Sequence, residues 1–151
     1  MAGHEAASGG SGSGSGGGAE ASFDVVVIGG GPGGYAAALY GSLAGLSVAV
    51  IELDKVGGTC LHRGCIPAKQ FLETASVFRT VAGSAEFGVT SGTGSDSAPV
   101  VDFAVSQGRK QKVVNQLFKG LSGLMKGRGI TVFSGTGTLL ADHRVRIDGT
   151  D

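Results

Sequence analysis

The chain lacks most of the compositional signals that announce a function class. Lysine plus arginine equal aspartate plus glutamate at 12 each, so the formal net charge is zero. Charge therefore gives no reason to expect nucleic acid or an anionic membrane surface as partner. No stretch reaches the roughly 18 apolar residues that cross a bilayer, and Met1 to Ser22 holds no apolar h-region behind a basic patch. The cytoplasm is the expected location. Cysteine is scarce, with only Cys60 and Cys65, which excludes a disulfide-stapled scaffold. Stability must come from packing, and a domain of 151 residues buries about two-thirds of its unfolded surface. Histidine is sparse too. His4, His62 and His143 added to two thiols make a poor case for a zinc site, which needs about four ligands, and no metal is expected. No internal repeat is visible.

Glycine is what the chain has in excess, at 30 residues. Gly9 to Gly18 reads GGSGSGSGGG, a composition that buries nothing, so residues 1 to 22 are expected to be a disordered tail. Order should begin with Phe23 to Ile28 (FDVVVI), a β-branched run that ends in glycines as a buried parallel strand does. Pro32 to Ala44 then has helical spacing with Gly45 as terminator, and Ser47 to Glu52 is a second apolar strand. Together they predict a βαβ unit with a right-handed crossover.

Beyond the cysteines, Pro67 to Val81 has helical composition and Gly83 to Pro99 reads as a surface loop. Between Asp102 and Arg128, Val113, Val114, Leu117, Phe118, Leu121, Leu124 and Met125 fall on one helical stripe. Lys110, Lys112, Lys119 and Lys126 lie mostly off it, as a solvated face. Ile130 to Ser134 suggests a third parallel strand, and Thr138 to Leu140 could pair with Arg144 to Ile147 across Ala141–His143.

Gly29, Gly31 and Gly34 fit G-x-G-x-x-G between a predicted strand and a predicted helix. In order, they allow the tight turn, the approach of the backbone to a pyrophosphate, and close helix–strand packing. The helix start beside them offers free N–H groups and a positive dipole end to phosphates. Glu52, 18 positions after Gly34, is placed to accept hydrogen bonds from ribose hydroxyls, and its charge argues against a 2′-phosphate. The pattern does not separate FAD from NAD.

Four residues separate Cys60 from Cys65, close enough for an intramolecular disulfide and unlike C-x-x-C. A pair of buried, inert cysteines is the plain alternative. Against it, the thiols lie near an expected helix start, flanked by Arg63 and Lys69, a setting that favours thiolate.

The segment GGTCLHRGCIPAK, Gly57 to Lys69, closely resembles the redox-active motif of the flavin-dependent disulfide reductases. Leu61 and Ile66 make it most similar to the dihydrolipoyl dehydrogenases, with glutathione and mercuric reductases sharing the spacing. The resemblance runs from about Phe23 to the end of the chain. It implies an α/β fold, a Rossmann-like FAD-binding domain with a parallel sheet and the start of a β-meander, incomplete in this chain. FAD would occupy the glycine turn with Glu52 on its adenosine ribose, Gly58, Thr59 and Lys69 near the flavin, and Gly137 at the adenine. Cys60 would be the interchange thiol and Cys65 the thiol beside the flavin ring, able to form a charge-transfer complex. His62, Ala68 and Gln70 stand where many members have asparagine, serine or threonine, and a small residue. A non-catalytic role is expected for His62.

The implied reaction oxidises dihydrolipoamide, carried on a lipoyl domain of a 2-oxo acid dehydrogenase complex, through a Cys60–Cys65 disulfide and FAD to NAD. Members of this family are homodimers with a second nucleotide-binding domain and an interface domain, for which no motif is found here. Residues 23 to 151 are therefore expected to be the amino-terminal part of an FAD-binding domain, inactive alone. A flavin-binding or thiol-sensing module without turnover, and a nucleotide-binding structural fragment with incidental cysteines, remain as alternatives.

Overall fold

Four β-branched or apolar residues in a row, Val25–Ile28, form β1, and Val48–Glu52 forms β2 beside it. In the computed structural model, which describes residues 20–89 and 98–149, α1 at Pro32–Leu43 connects them. The two strands run parallel with Val25 opposite Val48 and Ile28 opposite Ile51, so the expected βαβ unit is present. Most of the glycine-rich tail, and residues 90–97 of the expected loop, lie outside the described residues.

Asp24 and Ser47 set the register where the strands begin. The Asp24 amide donates to the Ser47 hydroxyl at 2.9 Å, while the Ser47 amide and hydroxyl donate to the Asp24 carboxylate at 2.8 and 2.6 Å. The hydroxyl bond, and then the amide bond, hold the Asp24 carboxyl below its ordinary value of 3.8.

Two helices carry the cysteine segment where the sequence predicts one. A short α2 spans Gly58–His62 and α3 spans Cys65–Ala82, starting two residues before the expected Pro67. The sequence hides α2 because its Gly-Thr start has low helix propensity, and the packing of Leu61, 8% exposed, overrides that. A 3-10 turn at Ser84–Phe87 follows, and α4 spans Phe103–Gly127. Asp102 caps α4 by accepting from the Val105 amide at 3.0 Å. Helices α3 and α4 are tied by Thr74 to Ser106, 2.8 Å apart, and by Arg109, which donates to Gln70.

Strand β3, Thr131–Ser134, pairs parallel with the far side of β2, giving the order β1-β2-β3. Strands β4, Thr136–Leu139, and β5, Val145–Asp148, form the expected antiparallel pair, in a separate two-stranded sheet. The core gathers Ala38 of α1, Val48 and Val50 of β2, Val56, Met125 of α4 and Ile130. The α4 stripe is only partly used: Val114 and Met125 are buried, while Leu117 and Leu124 are half exposed. Val114, Phe118, Leu121 and Met125 meet the core, and Leu117 and Leu124 lie on one flank of the same face.

Candidate disulfide and nucleotide site

The chain leaves β1 through Gly29, whose amide donates to the Ile51 carbonyl at 2.8 Å and whose φ of +96° suits glycine. Helix α1 then starts at Pro32 with Gly31 as N-cap and no side chain capping it. The Gly33 and Gly34 amides are in the first turn, where N–H groups lack intrahelical acceptors. A Cβ built on Gly34 would overlap the Gly29 carbonyl oxygen, so the helix can sit this close to the strand only with glycine there. A Cβ on Gly31 meets nothing within 4 Å. The turn is tight behind and open in front, which fits a pyrophosphate lying over Gly31.

Glu52 ends β2 and faces this turn. Its Oε2 accepts from the Gly30 amide at 2.7 Å and its Oε1 from the Asp54 amide at 3.0 Å. A carboxylate has about four acceptor positions, so two remain for hydroxyl groups. Glu52 also lines a cavity of about 390 Å³ with Phe118, Ser122, Lys126 and Ser134. Lys126 thus borders the Glu52 cavity as well as solvent. Gly137 packs above the strand ends, where a Cβ would stand 3.2 Å from Ile28 and 3.3 Å from Ile51.

Cys60 and Cys65 are joined in a disulfide, with Cα atoms 4.7 Å apart. Cys60 lies within α2 and Cys65 is the first residue of α3, where the helix dipole favours negative charge. A Cβ on Gly58 would stand 2.8 Å from the Gly31 Cα, so the disulfide segment rests on the phosphate turn. The Gly57 amide reinforces the contact by donating to the Gly30 carbonyl at 2.7 Å. Cys60 lines a cavity of about 620 Å³ with Pro32, Tyr35, Ile66 and Leu117, and Cys65 does not. Cys65 is exposed.

The sequence profile of the pyridine nucleotide-disulphide oxidoreductases matches residues 23–151. The chain belongs to this family. It is 46% identical over 119 residues to a dihydrolipoyl dehydrogenase of Bacillus subtilis, covering 78% of this chain and 24% of that protein. A dihydrolipoyl dehydrogenase of Acholeplasma laidlawii is 43% identical over 129 residues, which are 84% of this chain and 37% of that protein. Among solved structures, the copper(II) complex of the HOCl-induced flavoprotein disulfide reductase RclA from Escherichia coli superposes with a TM-score of 0.62 at 28% identity. That match covers 81% of this chain and 24% of RclA. The chain thus spans 24% to 37% of the length of these relatives.

Glu52 holds the turn of Gly29, Gly31 and Gly34 through the Gly30 amide, and Gly58 rests on that turn at the start of the helix that carries Thr59 and Cys60, with Cys65 joined through the disulfide. Lys69 is exposed on α3, one turn beyond Cys65. Gly137 lies over the strand ends. Arg63 has a partner that the sequence analysis did not name. It pairs with Asp54 at 2.6 Å, with its side chain 72% exposed, so its charge is engaged on the β2–α2 loop. Gly30 is the residue that sequence reasoning missed, since its amide and carbonyl tie Glu52 and Gly57 to the turn. Six residues reading GGGPGG concealed which glycine does this.

Proposed function

We propose that this chain carries the FAD-binding turn and the redox disulfide of a dihydrolipoyl dehydrogenase-like enzyme that oxidises dihydrolipoamide with NAD. The observation that carries this reading is the seating of Gly58 on Gly31, which puts a dithiol and a dinucleotide turn into one rigid unit. Identities of 46% and 43% to dihydrolipoyl dehydrogenases favour dihydrolipoamide over other disulfide substrates. In this reading residues 23–151 belong to the FAD-binding domain of a cytoplasmic homodimer that meets lipoyl domains of a 2-oxo acid dehydrogenase complex.

Gly31, Gly33 and Gly34 would hold the FAD pyrophosphate, Glu52 the ribose, Gly137 the adenine, and Gly58, Thr59 and Lys69 the flavin end. When bound, FAD supplies the acceptor for the dithiol's two electrons and the hydride that NAD takes up. The chain's own chemistry is thiol–disulfide exchange. A dihydrolipoamide thiolate attacks Cys60, forming a mixed disulfide and releasing Cys65 as thiolate. The position of Cys65 at the α3 start stabilises that leaving charge. The second substrate sulfur then displaces Cys60 and closes the lipoamide ring, leaving two electrons on the Cys60–Cys65 dithiol.

Acid quenching of oxidised protein mixed with dihydrolipoamide, followed by maleimide labelling and peptide mass mapping, tests the assignment. The lipoyl adduct is expected on Cys60 and the label on Cys65. The reverse pattern would exchange their roles, and no adduct with no lipoamide release would sink the reading.

A further inference from the structure

Among the described residues His62 is the only imidazole beside the disulfide, two residues after Cys60 and three before Cys65, and the exchange chemistry above does not use it. Its Nε2 lies 3.0 Å from the Val56 carbonyl oxygen. A carbonyl only accepts, so Nε2 carries the hydrogen and donates. The half-buried ring also meets Phe118 of α4 edge-on, with centroids 5.3 Å apart at 68°. Val56 is 7% exposed and part of the core, and Phe118 packs against that core. The imidazole therefore joins α2 to the β2–α2 loop and to α4 at once.

That attachment matters because α2 is only five residues long, with Leu61 as its one buried side chain. A helix this short does not persist unaided in water. While the disulfide is closed, α2 is also tethered to α3 through sulfur. Once it opens, Arg63 and Gly64 are a non-helical joint, and the distance from Cys60 to Cys65 depends on what still docks α2. Cys65 is secured independently, since α3 is bound to α4 through Thr74–Ser106 and Gln70–Arg109.

We propose that His62 is a positioning residue of the dithiol state, holding α2 so that Cys60 stays within bridging reach of Cys65 after reduction. By keeping the two thiols at high effective concentration it biases the pair toward the disulfide. The inference rests on the reading of Cys60–Cys65 as a redox pair.

The test is the equilibrium of the full chain with glutathione at pH 7. Two glutathiones give up two electrons and two protons to the disulfide, producing two protein thiols and glutathione disulfide, and the thiols are counted by mass-tagging gel shift. One neutral hydrogen bond is worth about 0.5–1.5 kcal/mol, so His62→Leu should lower the oxidation constant about two- to tenfold. His62→Gln, whose amide can donate to Val56, should recover at least half of the loss on a logarithmic scale. Arg63→Ala, at an exposed ion pair, should stay within about 1.5-fold. Phe118→Leu should shift the constant the same way as His62→Leu, and it decides the matter if His62→Leu loses its helical circular dichroism. An unchanged constant in His62→Leu, or a glutamine variant no better than leucine, overturns the positioning role while leaving the redox pair intact. A wild-type pair that does not interconvert with glutathione overturns both.

Discussion

A methyl group on Gly58 would stand 2.8 Å from the Cα of Gly31, so the first residue of α2 rests on the N-cap of α1. The β2–α2 loop repeats the link, since Gly57 donates to the carbonyl of Gly30, whose amide is held by Glu52. Disulfide and phosphate turn therefore cannot move apart without breaking backbone contacts. Gly58 also has φ of +57°, a conformation that costs about 1–2 kcal/mol for a residue with a Cβ. Gly58→Ala is expected to lower the unfolding free energy by at least that much and to weaken FAD binding together with it. Urea denaturation paired with flavin titration reads both, and an alanine variant of wild-type stability would contradict the contact.

Gly31 and Gly34 should separate binding from folding. The space in front of Gly31 is open, so Gly31→Ala should shift stability by less than about 1 kcal/mol, the scale of an N-cap change. Its methyl would occupy the place proposed for phosphate, and flavin affinity should fall more than about tenfold, a loss of about 1.4 kcal/mol. Gly34→Ala would force its methyl into the Gly29 carbonyl, so both stability and binding should suffer. Equal behaviour of the two variants in the same pair of measurements would argue against a ligand over Gly31.

Glu52 holds the turn in shape before any ligand arrives, by accepting from the Gly30 and Asp54 amides at 2.7 and 3.0 Å. Glu52→Gln removes the charge and replaces one acceptor oxygen with a donor that faces an amide. Hydrogen bonds to charged groups contribute about 1.5–3 kcal/mol, and the half-exposed setting places the expected loss of stability at the lower end. Thermal unfolding of the variant checks this, and adenosine diphosphate titration should show weaker binding still, because ribose recognition is lost along with the turn.

The strand–helix–strand unit and the α4 span were legible because their signals are local: β-branched runs and helical spacing. The cysteine segment was legible through its motif, but its shape was not. Helix α2 exists because Leu61 is buried and His62 finds partners in Val56, six residues earlier, and in Phe118, far along the chain, and no periodicity in five residues records that. The partner of Arg63 was hidden for a related reason: proximity in sequence sets its charge beside the thiols, and does not show that Asp54, nine residues earlier, pairs with it. Gly30 was hidden by its glycine neighbours, since a pattern shows which positions lack a side chain and not which backbone groups bond.

Closing the Cys60–Cys65 ring should stabilise the fold modestly. The chain-entropy relation for a loop of about six residues gives about 2 kcal/mol at 25 °C. Reduction with dithiothreitol, and the Cys60→Ser and Cys65→Ser variants, should therefore lower the unfolding free energy by about 2 kcal/mol or less. Urea curves with and without reductant read the difference. A loss far larger than this would mean that α2 undocks on reduction, contrary to the part assigned to His62.

Acid stability should depend on the Asp24–Ser47 clamp. The Ser47 hydroxyl and amide hold the Asp24 carboxyl below 3.8, so the unfolded chain takes up this proton at a higher pH than the folded one. Between those two values the unfolded state binds more protons, and stability rises with pH. The contribution is thus complete above the ordinary carboxylate value and is lost as pH falls through the depressed one. Ser47→Ala removes both the hydroxyl donor to Asp24 and the acceptor for its amide, leaving the Ser47 backbone bond in place. The wild-type advantage over Ser47→Ala, measured as urea midpoint from about pH 2 to pH 6, should be constant above about pH 5 and narrow toward about pH 2. An advantage that grew on acidification would mean that the clamp favours the protonated carboxyl, opposite to the direction its donors impose.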